Sequence, residues 1–191
     1  MHIAPMTGAV FLFFTEDPDM KIAVIGYSGS GKSTLARTLG ERYKVPVLHL
    51  DTVFHAANWQ QRDRQEQLAA VETFLDGSDG WVIDGNYTDL LYRRRMEEAD
   101  RIVMLLFGRF ACLHRAAKRY RTYRGRSRPD VAAGCTEKLD WEFIRWILHG
   151  GRTRAARKRY RDLGKAYPGK TTVLKNQRQL NAFLAGGQRY G

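Results

Sequence analysis

The chain has 191 residues, 43% of them apolar, and carries 32 Lys and Arg against 20 Asp and Glu, a net charge of +12. That is the size of one α/β domain with insertions and a sizeable core. No apolar run approaches the ~20 residues that cross a bilayer, which argues against membrane insertion. The charge is uneven: −3 over residues 1–20, −1 over residues 21–107 and +16 over residues 108–191. A second half this basic seeks anions: nucleotide phosphates, nucleic acid, or both. The two cysteines, Cys112 and Cys135, sit in neither a C-x-x-C motif nor a Cys/His cluster. This argues against zinc and disulfide scaffolds and for a reducing cytoplasm.

Residues 1–20 hold an apolar patch, Val10 to Phe14, followed by Glu16-Asp17-Pro18-Asp19, without a basic start or a small-residue cleavage site. A secretory signal does not fit. Translation from Met20 is the simplest account, leaving residues 1–19 as an extension ahead of a domain over residues 20–191; a packed extension is the alternative. Lys21-Ile22-Ala23-Val24-Ile25 reads as a buried parallel strand. Gly26-Tyr27-Ser28-Gly29-Ser30-Gly31-Lys32-Ser33 then fits G-x-x-x-x-G-K-[ST] at every fixed position, and Leu35, Ala36, Leu39 and Tyr43 recur at helical spacing.

Strand, glycine loop and helix in this order make a phosphate cradle. Gly26, Gly29 and Gly31 let successive backbone N–H groups approach an anion, and the helix from Lys32 adds its positive end. The whole stretch from Gly26 to Thr34, with Tyr27, Ser28 and Ser30, is the expected nucleotide contact. Lys32 reaches the β- and γ-phosphates, and the Ser33 hydroxyl is placed to ligate Mg2+. A dinucleotide-binding G-x-G-x-x-G does not fit, since Thr34 stands where its third glycine belongs.

Further along, Val47 to Leu50 reads as a second strand with Asp51 at its end, Arg62 to Leu75 as a helix, and Trp81 to Ile83 as a third strand ending in Asp84. A polar segment holding Arg93, Arg94 and Arg95 leads to Ile102–Phe107, the longest apolar run and the expected central strand. Phe110, Leu113, Ala117 and Tyr120 mark the inner face of the next helix, and residues 124–130 form an arginine loop expected to act as a mobile lid. Leu139, Phe143, Trp146 and Ile147 mark another helix, broken at Gly150-Gly151. A helix through Tyr160, a fifth strand over Thr171–Leu174 and a closing helix complete the chain. The alternation predicts an α/β fold: a parallel sheet with helices on both faces and the ligand outside the strands' carboxyl ends.

Phosphoryl transfer needs donor and acceptor held in line and the moving charge neutralised, so candidates cluster at strand ends. Asp84 is placed to hold Mg2+, directly or through water, and to meet substrate. Asp51 could accept a proton from an acceptor hydroxyl or orient the metal's waters; a turn or helix-capping role is its alternative. Gly85 stands where hydrolytic motors have a water-activating glutamate, which favours transfer to a bound acceptor. Arg115 and Arg119 lie one helical turn apart and Arg126 and Arg128 alternate in the loop, so either pair could close over the triphosphate. Arg93 could bind an acceptor phosphate, the alternative being a solvated helix face, and Asn86 and Tyr87 are expected to face the acceptor. His55, Trp59, Trp141 and Trp146 could stack on a base, although Trp141 and Trp146 at helical spacing read as core. His49, inside a strand, reads as packing.

The loop Gly26–Ala36, His49-Leu50-Asp51, Trp81-Val82-Ile83-Asp84-Gly85-Asn86-Tyr87, Arg126-Ser127-Arg128-Pro129-Asp130, Gly134-Cys135 and Leu139-Asp140-Trp141-Glu142-Phe143 together resemble the bacterial DNA topology modulation protein family, a branch of the adenylate-kinase-like P-loop NTPases. The likeness spans about residues 20–185. It implies a three-layer P-loop NTPase fold with a five-stranded parallel sheet and a helical, arginine-rich lid, here over about residues 109–150. The expected activity is transfer of the γ-phosphate of ATP to a small acceptor with Mg2+; no guanine-selecting N-K-x-D string is present. A nucleotide-regulated DNA-associated protein is the alternative.

Overall fold

The computed structural model describes residues 17–126, 128 and 130–186. The expected N-terminal extension therefore lies outside the described residues except for residues 17–19. Five strands form one sheet: β1 (Lys21–Gly26), β2 (Val47–His49), β3 (Trp81–Asp84), β4 (Arg101–Leu105) and β5 (Thr171–Leu174). Their order is β2-β3-β1-β4-β5 and every pairing is parallel. Ile22 to Ile25, Trp81 to Ile83 and Ile102 to Leu105 are all buried, as expected of strands covered on both faces.

The middle strand is β1, not the longest apolar run as expected. β1 and β4 are equally apolar because both are covered on both faces, so apolarity does not rank them; the crossovers do. From β1 the chain moves outward to β2, then reverses and steps through β3, β4 and β5. With right-handed crossovers, that reversal puts helices on both faces. Helix α1 (Lys32–Tyr43) shares its face with the last helix, α8 (Gln177–Leu184), where Arg42 donates to the Leu184 carbonyl.

Between them come α2 (Leu50–Phe54), α3 (Arg64–Asp76), α4 (Tyr92–Glu98), α5 (Arg109–Tyr123), α6 (Trp141–Leu148) and α7 (Arg154–Ala166). Three of these differ from expectation. Leu50 opens α2 instead of ending β2, which carries Asp51 into the first turn of a short helix. On α5 the buried residues are Cys112 and Ala116, whereas Phe110 is 75% exposed. Small residues turn inward there because α5 runs close under the glycine loop: a Cβ on Gly29 would lie 2.6 Å from the Cys112 carbonyl. On α6 it is Ile147 that is buried, and Trp141 and Trp146 are 75% and 51% exposed, so neither is core.

Candidate active site

The loop from β1 to α1 has the backbone that its glycines predict. Gly26, Gly29 and Gly31 have φ of 143°, 76° and 98°, conformations that side chains disfavour. A Cβ on Gly26 would also stand 2.3 Å from the Leu105 carbonyl. The neighbouring strand thus demands this glycine whether or not a ligand is bound. Side chains cap α3, α6, α7 and α8 at Asp63, Asp140, Thr153 and Asn176, whereas α1 starts from Gly31 with no side-chain cap. Helices α2, α4 and α5 also start without one; at α1 the open first-turn N–H groups and the dipole stand beside the glycine loop, an arrangement that suits an anion. Lys32 donates to the Tyr27 carbonyl at 3.2 Å. Burial holds its pKa below the usual lysine range, with Asp84 and Asp51 opposing.

Beside this cradle the Ser33 hydroxyl donates to Asp84 Oδ2 at 3.0 Å. Two hard oxygens next to an uncapped helix start fit Mg2+, which keeps its remaining positions for water and phosphate. The other carboxylate oxygen, Oδ1, contacts His49 Nδ1. His49 is paired with Asp84 in the β2–β3 register, so it joins the site instead of serving only as packing. Burial alone would lower its pKa, but the hydrogen bond and charge of Asp84 prevail and raise it. The available sequence signal was that both residues end adjacent strands.

Asp51 accepts a hydrogen bond from the Tyr87 hydroxyl at 2.8 Å, and the Tyr87 ring stacks on Phe54 with centroids 4.6 Å apart. Burial, then Asp51, pushes the Tyr87 pKa up and keeps it a donor. Asn86 lines the same cavity, but its amide is engaged: it donates to the Gly26 carbonyl at 2.6 Å and accepts from Gly26 N–H at 3.0 Å. The arginine run divides. Arg93 is exposed, pairs with Glu97 and does not line the cavity. Arg94 pairs with Asp76 and Glu98. Arg95 is fully buried and donates to the carbonyls of Leu90 and Tyr87 at 2.8 and 2.6 Å, which shapes the loop after Asp84.

These groups open into one cavity of about 1760 Å³. Arg115 and Arg119 of α5 both line it. Arg115 donates to the Ser30 carbonyl and to Gln177 and lies over the Phe107 ring. Arg119 is held by Glu137 at 2.6 and 2.7 Å, and its charge reaches Lys32. The loop arginines are not a pair: Arg126 is exposed and away from the cavity. Arg128 is 8% exposed and ion-paired with Asp130 and Glu137, each at 3.0 Å, with Asp51 at 3.9 Å. The same loop roofs the cavity by packing Val131, Ala132 and Cys135 on Trp59. Cys135 donates to the Ala56 carbonyl at 3.1 Å and Trp59 Nε1 to the Thr136 carbonyl at 3.0 Å. Trp146, expected in the core, lines the cavity and donates to the Ser28 hydroxyl at 3.1 Å.

Comparison with known proteins agrees with this picture at the level of the fold. Residues 22–82 match the family model described as an AAA domain. The chain is 28% identical over 81 residues to adenylate kinase of Listeria monocytogenes serotype 4a (strain HCC23), covering 42% of this chain and 35% of the relative. It thus spans about a third of the length of the curated relatives it matches. Among solved structures, an uncharacterized protein from Eubacterium ventriosum ATCC 27560 is similar at a TM-score of 0.50 and 14% identity, over 87% of this chain and 96% of that one. Shikimate kinase from Bacteroides thetaiotaomicron is similar at a TM-score of 0.48 and 16% identity, over 87% and 95% of the two chains. A gluconokinase from Sinorhizobium meliloti 1021 is similar at a TM-score of 0.46 and 17% identity, over 88% and 93%. The fold is that of the P-loop NTPases.

Proposed function

We propose that the protein is an ATP-dependent kinase for a small acceptor. The observation that carries this reading is the Ser33–Asp84 hydrogen bond at the open start of α1, with the Asp51 carboxylate facing the same cavity. The amides of residues 26–34 and Lys32 hold the β- and γ-phosphates of the donor. Ser33 and Asp84 hold Mg2+, which when bound neutralises phosphate charge. Asp51 accepts the proton of the acceptor hydroxyl as its oxygen bonds to the γ-phosphorus. The bond to the bridging oxygen breaks and its electron pair leaves with the diphosphate. Arg119, oriented by Glu137, and Arg115 stabilise the charge on the transferring group. The segment 109–150 serves as the lid.

Incubation with labelled ATP, Mg2+ and a panel of nucleosides, monophosphates and sugars tests this reading. Acceptor-dependent ADP formation is expected. No label on any acceptor, with ATP binding unaffected by Lys32→Ala, overturns it.

A second reading, contact with DNA, accords with the resemblance to DNA topology modulation proteins and is favoured by α7. Arg154, Arg157, Lys158, Arg161 and Lys165 are exposed there, and Asp162 is the helix's one acidic residue. It predicts duplex binding whose affinity falls steeply with salt, by a log–log slope of about −0.9 per phosphate contacted. Mobility shifts at two salt concentrations decide it.

A further inference from the structure

Resting on the kinase reading, the geometry points to an uncharged alcohol that carries a ring, such as a nucleoside or a cyclic sugar, as the acceptor, in preference to a phosphate monoester. A monophosphate needs cationic donors whose charge is not already matched. Around Asp51 and on α4 the arginines are committed elsewhere. Arg93 and Arg94 lie in carboxylate pairs on α4, and Arg95 is buried against backbone carbonyls. Arg128 faces Asp51, Asp130 and Glu137 within 3.9 Å, and Glu137 also holds Arg119. Two guanidinium groups therefore meet three carboxylates, so Arg119 and Arg128 have no unmatched charge to offer a second phosphate. Arg37, beside His49, lies outside that network, as do Lys118, Lys138, Arg145 and Arg159 elsewhere on the cavity wall.

What the chamber offers next to Asp51 is ring surface. Phe54 and Tyr87 stack, His55 meets Phe54 edge-on at 4.9 Å, and Trp59 meets His55 at 5.1 Å. All four line the cavity next to Asp51. Aromatic faces of this kind take the flat base of a nucleoside or the C–H face of a sugar. Tyr87 occupies Asp51 Oδ1, so the hydroxyl proton goes to Oδ2, which stands 3.9 Å from the Arg128 guanidinium.

The test is steady-state ADP formation by the full chain with saturating ATP and Mg2+. The panel holds adenosine, guanosine, thymidine and their 5′-monophosphates, with glucose and ribose as sugar arms, and ATP binding is measured beforehand by calorimetry. An uncharged member is expected to exceed every monophosphate in kcat/KM by at least ten-fold, and the nucleoside and sugar arms tell the two sources apart. Asp130→Asn, which removes one carboxylate from Arg128, is expected to shift selectivity toward monophosphates by several-fold. Preference for a monophosphate in the wild type, or ATP binding with no uncharged member accepted, overturns the inference alone. Failure to bind ATP overturns the kinase reading and this inference with it.

Discussion

Lys32 is an ammonium group that the fold holds in a confined place, with its pKa lowered first by burial and only partly restored by Asp84 and Asp51. A lysine whose folded pKa lies below its unfolded one destabilises the empty protein at every pH where it stays charged. The penalty fades as pH climbs from the folded value toward the unfolded one. Lys32→Met should therefore stabilise the ligand-free protein at pH 7 by about 1 kcal/mol in urea titration, with the gain shrinking as pH rises toward the ordinary lysine value of 10.5, while ATP binding is lost. Gly26→Ala tests the loop in the opposite direction. Its φ of 143° and the Leu105 carbonyl 2.3 Å from a Cβ predict a loss of about 2 kcal/mol or more by the same titration.

At the scale of elements, the site is a product of strand register. Pairing His49 with Asp84 across β2 and β3 lets an imidazole brace the carboxylate that Ser33 also contacts. His49→Ala should raise the Mg2+ concentration needed for half-maximal turnover by roughly ten-fold, measured by metal titration, with far-UV dichroism unchanged. The strands and the glycine loop were legible in the sequence because parallel strands read as unbroken apolar runs and the loop's spacing is rigid. Helical phase was less so. Three adjacent arginines on α4 point about 100° apart, and composition does not say that Arg95 is the buried one. Nor does periodicity reveal that Trp141 and Trp146 face a cavity instead of a core, because an apolar stripe looks the same against either. Glu137 carried no signal at all: its importance comes from Arg119 and Arg128, which the irregular stretch between α5 and α6 folds back onto it.

For the molecule as a whole, the contacts tie α6 to the glycine loop through Trp146 and Ser28, and the stretch after α5 to Trp59 through Cys135 and to Asp51 through Arg128. Adding ATP should displace the indole from Ser28 and change tryptophan emission, and Trp146→Phe should remove most of that response in a fluorescence titration. Asn86 has a wider consequence. Its amide holds Gly26 by two hydrogen bonds, and the next residue, Tyr87, grips Asp51. With the donor on the glycine loop and the acceptor at Asp51, as proposed, an adjustment of one seat reaches the other through a single peptide step. Donor and acceptor should accordingly bind interdependently in calorimetric titration, each changing the other's affinity by one and the same factor, as thermodynamic reciprocity requires.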